Sequence, residues 1–190
     1  YATRTIFSDV TASHWGLGYV NLAASINVGT AEAPAALIAG VGDGRFEPDS
    51  PITQAQAVTI LIRVLKYRGE QAGAVWPQSC MNLAGSIGLT EGLPADYNRP
   101  LTRAQAAQLF VNALSCKTGE GTVYYKSLGQ TTDGVIVLAV NVETDDGSAN
   151  GAIRTSANKE SEAYLPASGQ ANPTGLQGKR GALVLNDKNE

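Results

Sequence analysis

The chain has 190 residues, 43% of them apolar, and a formal net charge of −3. That length bounds it to one or two domains with enough apolar area for a real core, and acidic and basic residues lie near balance in both halves, which excludes the basic patch a nucleic-acid partner would need. No stretch approaches the run of about 18 apolar residues that a membrane span takes, and none has the build of a signal peptide.

Residues 1–14 read as an extended lead-in in which Phe7 and Val10 flank Ser8 and Asp9. From Trp15 to Val28, the spacing of Trp15, Tyr19, Leu22, Ala23 and Ile26 predicts a helix packed on that face. Residues 30–40, Ala-rich around Pro34, suggest a short extra helix ending at Gly40. Asp43-Gly44, within Gly42-Asp43-Gly44-Arg45-Phe46, is a turn signal. Pro48 and Pro51 then keep the backbone extended up to Thr53. Thr53 and Gln56 have the spacing of a capping box, in which the Thr hydroxyl accepts from the amide three residues on and the Gln side chain reaches back to the Thr amide. Val58, Leu61, Ile62 and Leu65 follow on one helical face.

The same plan is then repeated. After a polar link at Gly69–Gly73, Trp76-Pro77 leads a helix over Ser79–Ile87, Gly88, Gly92 and Pro94 make a loop, and Thr102 with Gln105 caps a further helix ending near Leu114. PITQAQAVTILIRVL (51–65) aligns without gaps with PLTRAQAAQLFVNAL (100–114), an offset of 49 residues. Trp15 aligns with Trp76, and Asn21–Ile26 with Asn82–Ile87, at an offset of 61. One helix–loop–helix unit is thus written twice, and the second copy lacks 12 residues of the loop. The first copy spans 5–69 and the shortened second copy 70–116.

From Lys117 the character changes. Thr122–Tyr125, Gly134–Val142, Ala152–Thr155, Ala163–Leu165 and Ala182–Asn186 read as short strands. Asp145-Asp146-Gly147, Asn150-Gly151, Ser168-Gly169 and Gly178–Gly181 punctuate them. The expected fold class is α+β: an N-terminal all-α part of two helix–loop–helix copies, then a small antiparallel β domain over 117–190, barrel-like or an incomplete sandwich. The last strand ends near Glu190, and the natural protein is expected to continue past it.

Phe7-Ser8-Asp9-Val10, His14-Trp15, the Gly-Asp-Gly-Arg-Phe loop and Ile52-Thr53-x-Ala55 at a helix start resemble, in order, the bacterial surface-layer homology (SLH) repeat. Leu101-Thr102-Arg103-Ala104-Gln105 matches its second-helix signature more closely still. The resemblance covers about residues 5–116. It implies a non-enzymatic cell-surface protein held non-covalently on a secondary cell-wall polysaccharide, often one with pyruvylated sugars, and an extracellular place in the cell wall or surface layer. A removed signal would then end just before Tyr1. The family's domain is typically a pseudo-threefold cluster of three repeats, and two are visible here. The segment 131–187 resembles, more weakly, a region that follows such repeats in some surface proteins.

The resemblance assigns a ligand contact to Arg103, beside its cap Thr102. An Arg there suits a carboxylate such as a pyruvyl ketal, which a guanidinium grips in bidentate fashion near the helix's free amides; the other reading is a solvated surface Arg. Gln54 stands at the matching place beside Thr53 and lacks the charge, so the first pocket is expected to be weaker, altered or lost. Asp43 and Gly44 suit sugar hydroxyls or a plain turn. Trp15 and Trp76 read first as the core anchors of their copies and second as platforms for a sugar ring. With His14 the only histidine, read as an exposed residue beside Trp15, no Ser-His-Asp, Cys-His or multi-His metal site can be assembled. The acidic residues lack calcium-loop spacing, and no phosphate-cradling loop or nucleophile elbow appears. No cofactor, metal or catalytic residue is expected. In an extracellular setting, Cys80 and Cys116, near helix ends that meet if the helices run antiparallel, could form a disulfide worth about 3–4 kcal/mol; the alternative is two buried thiols.

Two other functions remain open. The repeats could pack against other subunits in a surface assembly rather than bind glycan. Alternatively, the anchor could serve a carbohydrate-active enzyme whose catalytic domain lies outside these residues.

Overall fold

The computed structural model describes residues 5–31, 33–71, 73–143, 151–157, 163–166 and 173–186. The chain divides into two compact units, Tyr1–Tyr124 and Tyr125–Glu190. Among the described residues the first holds four α-helices, α1 (Leu17–Ser25), α2 (Gln54–Val64), α3 (Gln78–Ser86) and α4 (Arg103–Ser115). The second holds a three-stranded antiparallel sheet of β1 (Gln130–Val140), β2 (Ile153–Thr155) and β3 (Arg180–Leu185), with β1 in the centre. The architecture is α+β.

Both capping boxes form. Thr53 Oγ1 accepts from the Gln56 amide at 3.3 Å, and Gln56 Oε1 accepts from the Thr53 amide at 2.8 Å. The Thr102–Gln105 pair repeats this at 3.2 and 2.9 Å. The two helix starts are joined. The Leu101 amide donates to the Ile52 carbonyl at 2.9 Å, and the first free amides of α2 are taken by the second copy's loop, Gln54 by the Arg99 carbonyl and Ala55 by that of Tyr97. Thr102→Ala removes an acceptor from a helix end otherwise open to water, so it should lower stability by about 0.5–2 kcal/mol in a denaturant titration, whereas Thr102→Ser should be nearly neutral.

Val58, Leu61 and Ile62 of α2 and its C-cap Leu65 form one buried cluster with Ala84 of α3, Leu89, and Leu109 and Ala113 of α4, closed by Cys116. Leu83 and Ile87 pack against its side. The expected core face of α1 is different. Tyr19 is 73% exposed, Leu22 and Ile26 lie at the surface, and α1 buries Leu17 and Asn21 instead. The aligned residues of α3 are sheltered because α2 stands against them, and among the described residues no helix does this for α1. Nor are the tryptophans core anchors: Trp15 is 83% and Trp76 60% exposed.

Three smaller expectations also change. Among the described residues of 30–40 no helix forms; Asn27 and Ala36 make an antiparallel bridge, and Asn27 Oδ1 accepts from the amides of Gly29 and Ala35 at 3.0 Å each. Residues 122–125 contribute one bridge, Lys117 with Val123, before a 3-10 turn over Tyr124–Ser127. Cys80 and Cys116 are buried and not bridged. The Cys116 thiol donates to the Ile87 carbonyl at 3.2 Å, and its burial raises its pKa, which favours an inert core thiol over a reactive one.

In the sheet unit, β1 starts earlier than its sequence suggests, at Gln130, because Gln130–Thr132 pair with Leu183–Leu185. Its register shifts between Thr132 and Val135, where Gly134 has φ 71°, as a bulge permits. Val135, Ala152, Thr155 and Pro173 are buried. The expected strand at 163–165 is a single bridge, Tyr164 with Ile153. The turn signals Asp145-Asp146-Gly147 and Ser168-Gly169, and Asn150, lie outside the described residues.

Candidate functional site

The first loop is built by a clamp that its own motif does not reveal. Asp9 reaches across from the lead-in, its Oδ1 accepting from the Phe46 amide at 2.8 Å and its Oδ2 from the Glu47 amide at 2.7 Å. The Ser8 amide donates to the Gly44 carbonyl at 2.9 Å, and the Phe7 and Phe46 rings stack at 5.2 Å. Within the loop, the Arg45 amide closes on the Gly42 carbonyl and the Val41 amide on that of Arg45. The turn places Asp43 at φ 51° and Gly44 at φ 69°, both exposed.

Desolvation alone would raise the Asp9 pKa, but the amides it accepts from outweigh this and hold it below the usual carboxylate range. A carboxyl depressed in the folded state contributes stability above its unfolded pKa and loses it as pH falls through the folded value. The lead-in should therefore release the loop below about pH 4. Protection of the Phe46 and Glu47 amides from exchange, relative to the intrinsic rate at each pH, should fall there in the native chain and be low already at neutral pH in Asp9→Ala. Equal protection in both proteins would contradict the clamp.

Behind this loop lies a cavity of about 680 Å³. It is lined by Ile38–Val41 and Phe46–Pro48 of the loop, by Gln56, Thr59 and Arg63 of α2, and by Trp76. Its lining is mostly apolar and aromatic, with Glu47, Ser50, Gln56, Thr59 and Arg63 supplying polar groups. Trp76 is oriented by its indole N–H, which donates to Thr59 Oγ1 at 3.0 Å, while that hydroxyl donates to the Ala55 carbonyl at 2.8 Å. The ring is fixed at its edge, and much of its surface stays open to solvent. Such a rigid platform beside polar groups suits an amphipathic, ring-shaped ligand.

Arg63 is less available than its charge implies. Its Nη1 donates to the carbonyls of Ala36 and Leu37 at 3.2 and 3.0 Å, pinning the first loop to α2. Asn112, the residue aligned with Arg63, does the same in the second copy, its Nδ2 donating to the carbonyls of Leu89 and Glu91 at 3.0 and 2.9 Å. Sequence reading passed over both. The signal was a polar side chain within the apolar second half of each helix, at the same aligned place in each copy.

Of the sequence-predicted residues, only Trp76 lines this cavity. Thr53 and Thr102 are occupied as caps. Gln54 is 3% exposed, beneath the second copy's loop. Arg103 is exposed at the start of α4, and no ion pair among the described residues engages it. Trp15, ahead of α1, is exposed, its ring stacked on His14 at 5.8 Å. His14 is not the exposed residue its position suggested. Its side chain is 15% exposed, its Nδ1 accepts from the Gly16 amide at 3.1 Å, and its Nε2 lies 3.5 Å from Asp49. Among the described residues no group of three or more His, Cys, Asp or Glu could hold a metal ion, and no helix is long and apolar enough to cross a membrane.

A family model described as the S-layer homology domain matches residues 35–58. Those residues supply the loop wall of the cavity and the capped start of α2. The chain is 32% identical over 111 residues to a cell surface protein of Thermoanaerobacter kivui, covering 58% of this chain and 13% of that protein. It is 30% identical over 124 residues to a surface layer protein of Brevibacillus choshinensis, covering 64% and 10%. With a middle cell wall protein of Brevibacillus brevis it shares 29% over 108 residues, covering 57% and 9%. The chain thus spans about a tenth of the length of these curated relatives. No solved structure matches it. The residues similar to that family model thus line the cavity and form the capped start of α2.

Proposed function

We propose that the helical unit anchors this protein at the bacterial cell surface by binding a secondary cell-wall polysaccharide, in the cavity between the first loop, α2 and Trp76. The observation that carries this reading is the coincidence of the S-layer homology match with the cavity wall. The relatives' names, all of cell-surface, surface-layer or cell-wall proteins, support an extracellular place in the cell wall or surface layer. The role is non-enzymatic. Trp76 is the platform for a sugar ring, and Gln56 and Thr59 face its hydroxyls.

Arg103 is the anionic contact. A pyruvylated sugar presents a carboxylate, and Arg103 offers an exposed guanidinium next to helix-start amides. It stands outside the cavity, so it would grip a neighbouring residue of the same polymer. Asp43 and Gly44, on the exposed turn, are secondary contacts at most.

Retention on purified cell-wall sacculi tests this. Trp76→Ala removes the platform while α2 keeps its cap and core, and retention should fall about tenfold, the equivalent of roughly 1.4 kcal/mol. Arg103→Ala should weaken retention further at low salt than at high salt. Unchanged retention for both variants would refute the site.

A further inference from the structure

We infer that Glu47 decides which sugar the cavity accepts: a neutral one that presents hydroxyl or amide N–H donors, the carboxylate-bearing sugar being kept out and left to Arg103. The inference rests on the glycan reading of the cavity and names what that cavity selects.

The polar groups on the lining differ in what they still have to offer. Thr59 has used its hydroxyl proton on the Ala55 carbonyl and one lone pair on the Trp76 indole, so what remains is an acceptor. Ser50 turns its hydroxyl proton towards Glu47 Oε2 at 3.5 Å and is likewise left with lone pairs. Gln56 Oε1 is taken by the Thr53 amide, which leaves its Nε2 as a donor. Among the described residues Arg63 is the lining's one cation and Glu47 its one carboxylate. Arg63 Nη1 is held by the carbonyls of Ala36 and Leu37, neither of which lines the cavity, so part of its donor set is spent elsewhere.

Glu47 is far less committed. Its contacts with Arg45 at 3.4 Å and Ser50 at 3.5 Å are long, and its side chain is 40% exposed, so most of its acceptor capacity is open. A lining with this surplus of acceptors suits a ligand rich in donors. Sugar hydroxyls and the N–H of an acetamido group are such donors. A carboxylate on the sugar only accepts, and it meets a like charge at Glu47.

Glu47 is also held where it is against its own backbone preference. It has φ 60°, a left-handed conformation unfavourable to a residue with a Cβ. Its amide donates to Asp9 Oδ2 at 2.7 Å, and its carbonyl accepts from the Ser50 amide at 3.1 Å. Glycine would take the same turn without strain, and strain kept beside a cavity is a mark of function. Asp9 is thus the positioning residue for Glu47.

N-acetylglucosamine and N-acetylmuramic acid test this, since the second is the first with a lactyl carboxylate added. The chain has two tryptophans, so in a Trp15→Phe background the fluorescence of Trp76 reports on the cavity. The neutral sugar should bind about tenfold more tightly than the acidic one. Glu47→Gln, which keeps the shape and removes the charge, should weaken the neutral sugar and bring the two affinities together. Glu47→Gly removes the carboxylate and the strain at once, so it should bind the neutral sugar more weakly with a nearly unchanged melting temperature. A native chain that prefers the acidic sugar, or a preference that Glu47→Gln leaves intact, would overturn the inference while leaving anchoring through glycan in place. Trp76 fluorescence that answers to neither sugar would overturn it too. The glycan reading itself fails separately, on sacculi, if Trp76→Ala and Arg103→Ala are retained as the native chain is.

Discussion

Replacing Ile62 by Ala should lower the unfolding free energy of the helical unit by about 2–5 kcal/mol. Ile62 is 1% exposed and lies in the cluster where α2 meets α3 and α4. Its neighbours belong to rigid helices and to Leu89 in the second loop, so they cannot collapse into the space left behind. The cost is the lost burial plus the cavity. Val111→Ala, the aligned change on α4, should be within about 0.5 kcal/mol of the native chain, because exposed positions lose little burial. The two substitutions occur at the same place in a repeated motif, and their unequal effects in a denaturant titration would register directly that only one copy's face is covered. Equal losses would mean that Val111 is buried in solution.

Gly40→Ala should be the most damaging single-methyl addition to the cavity wall. A Cβ at Gly40 would lie 2.2 Å from the Arg45 carbonyl oxygen and 2.8 Å from the Phe7 ring. The first of these is backbone, so a side-chain rotation cannot relieve it. The Val41–Arg45 hydrogen bond and the Phe7–Phe46 stack would both have to shift, at a cost of about 1–3 kcal/mol. Since Gly40, Val41 and Phe46 line the cavity, retention on cell walls should fall together with stability. Gly85→Ala is the control. No atom lies within 4 Å of its added Cβ, and Ala is the better helix former, so stability should rise slightly. A Gly40→Ala protein with native stability and native retention would show that the loop does not pack as described.

The capped helices were legible because their determinants are local. Thr-x-x-Gln followed by an apolar face specifies a helix start and the side to be buried, and both boxes form as read. The exposure of α1's apolar face, Tyr19 and Leu22 included, was not legible, for a physical reason. Periodicity reports which face of α1 is apolar, but burial needs a partner, and the partner that α3 finds in α2 has no counterpart against α1 among the described residues. The segment 30–40 was misread because an Asn side chain, satisfying two loop amides, outweighed the alanines around Pro34. Of the site, the loop motif and Trp76 were visible. The Asp9 clamp was not, since a carboxylate answering amides 37 and 38 residues away leaves no local pattern. The shared role of Arg63 and Asn112 was recoverable only by asking what a polar residue was doing at the same place in both helices.

The most direct test of the central claim is retention of the 190-residue chain on purified sacculi before and after the secondary polysaccharide is stripped. Anchoring through glycan predicts retention that disappears on stripping and is competed by free polysaccharide fragments. Retention that survives stripping, or none on intact sacculi, would contradict it.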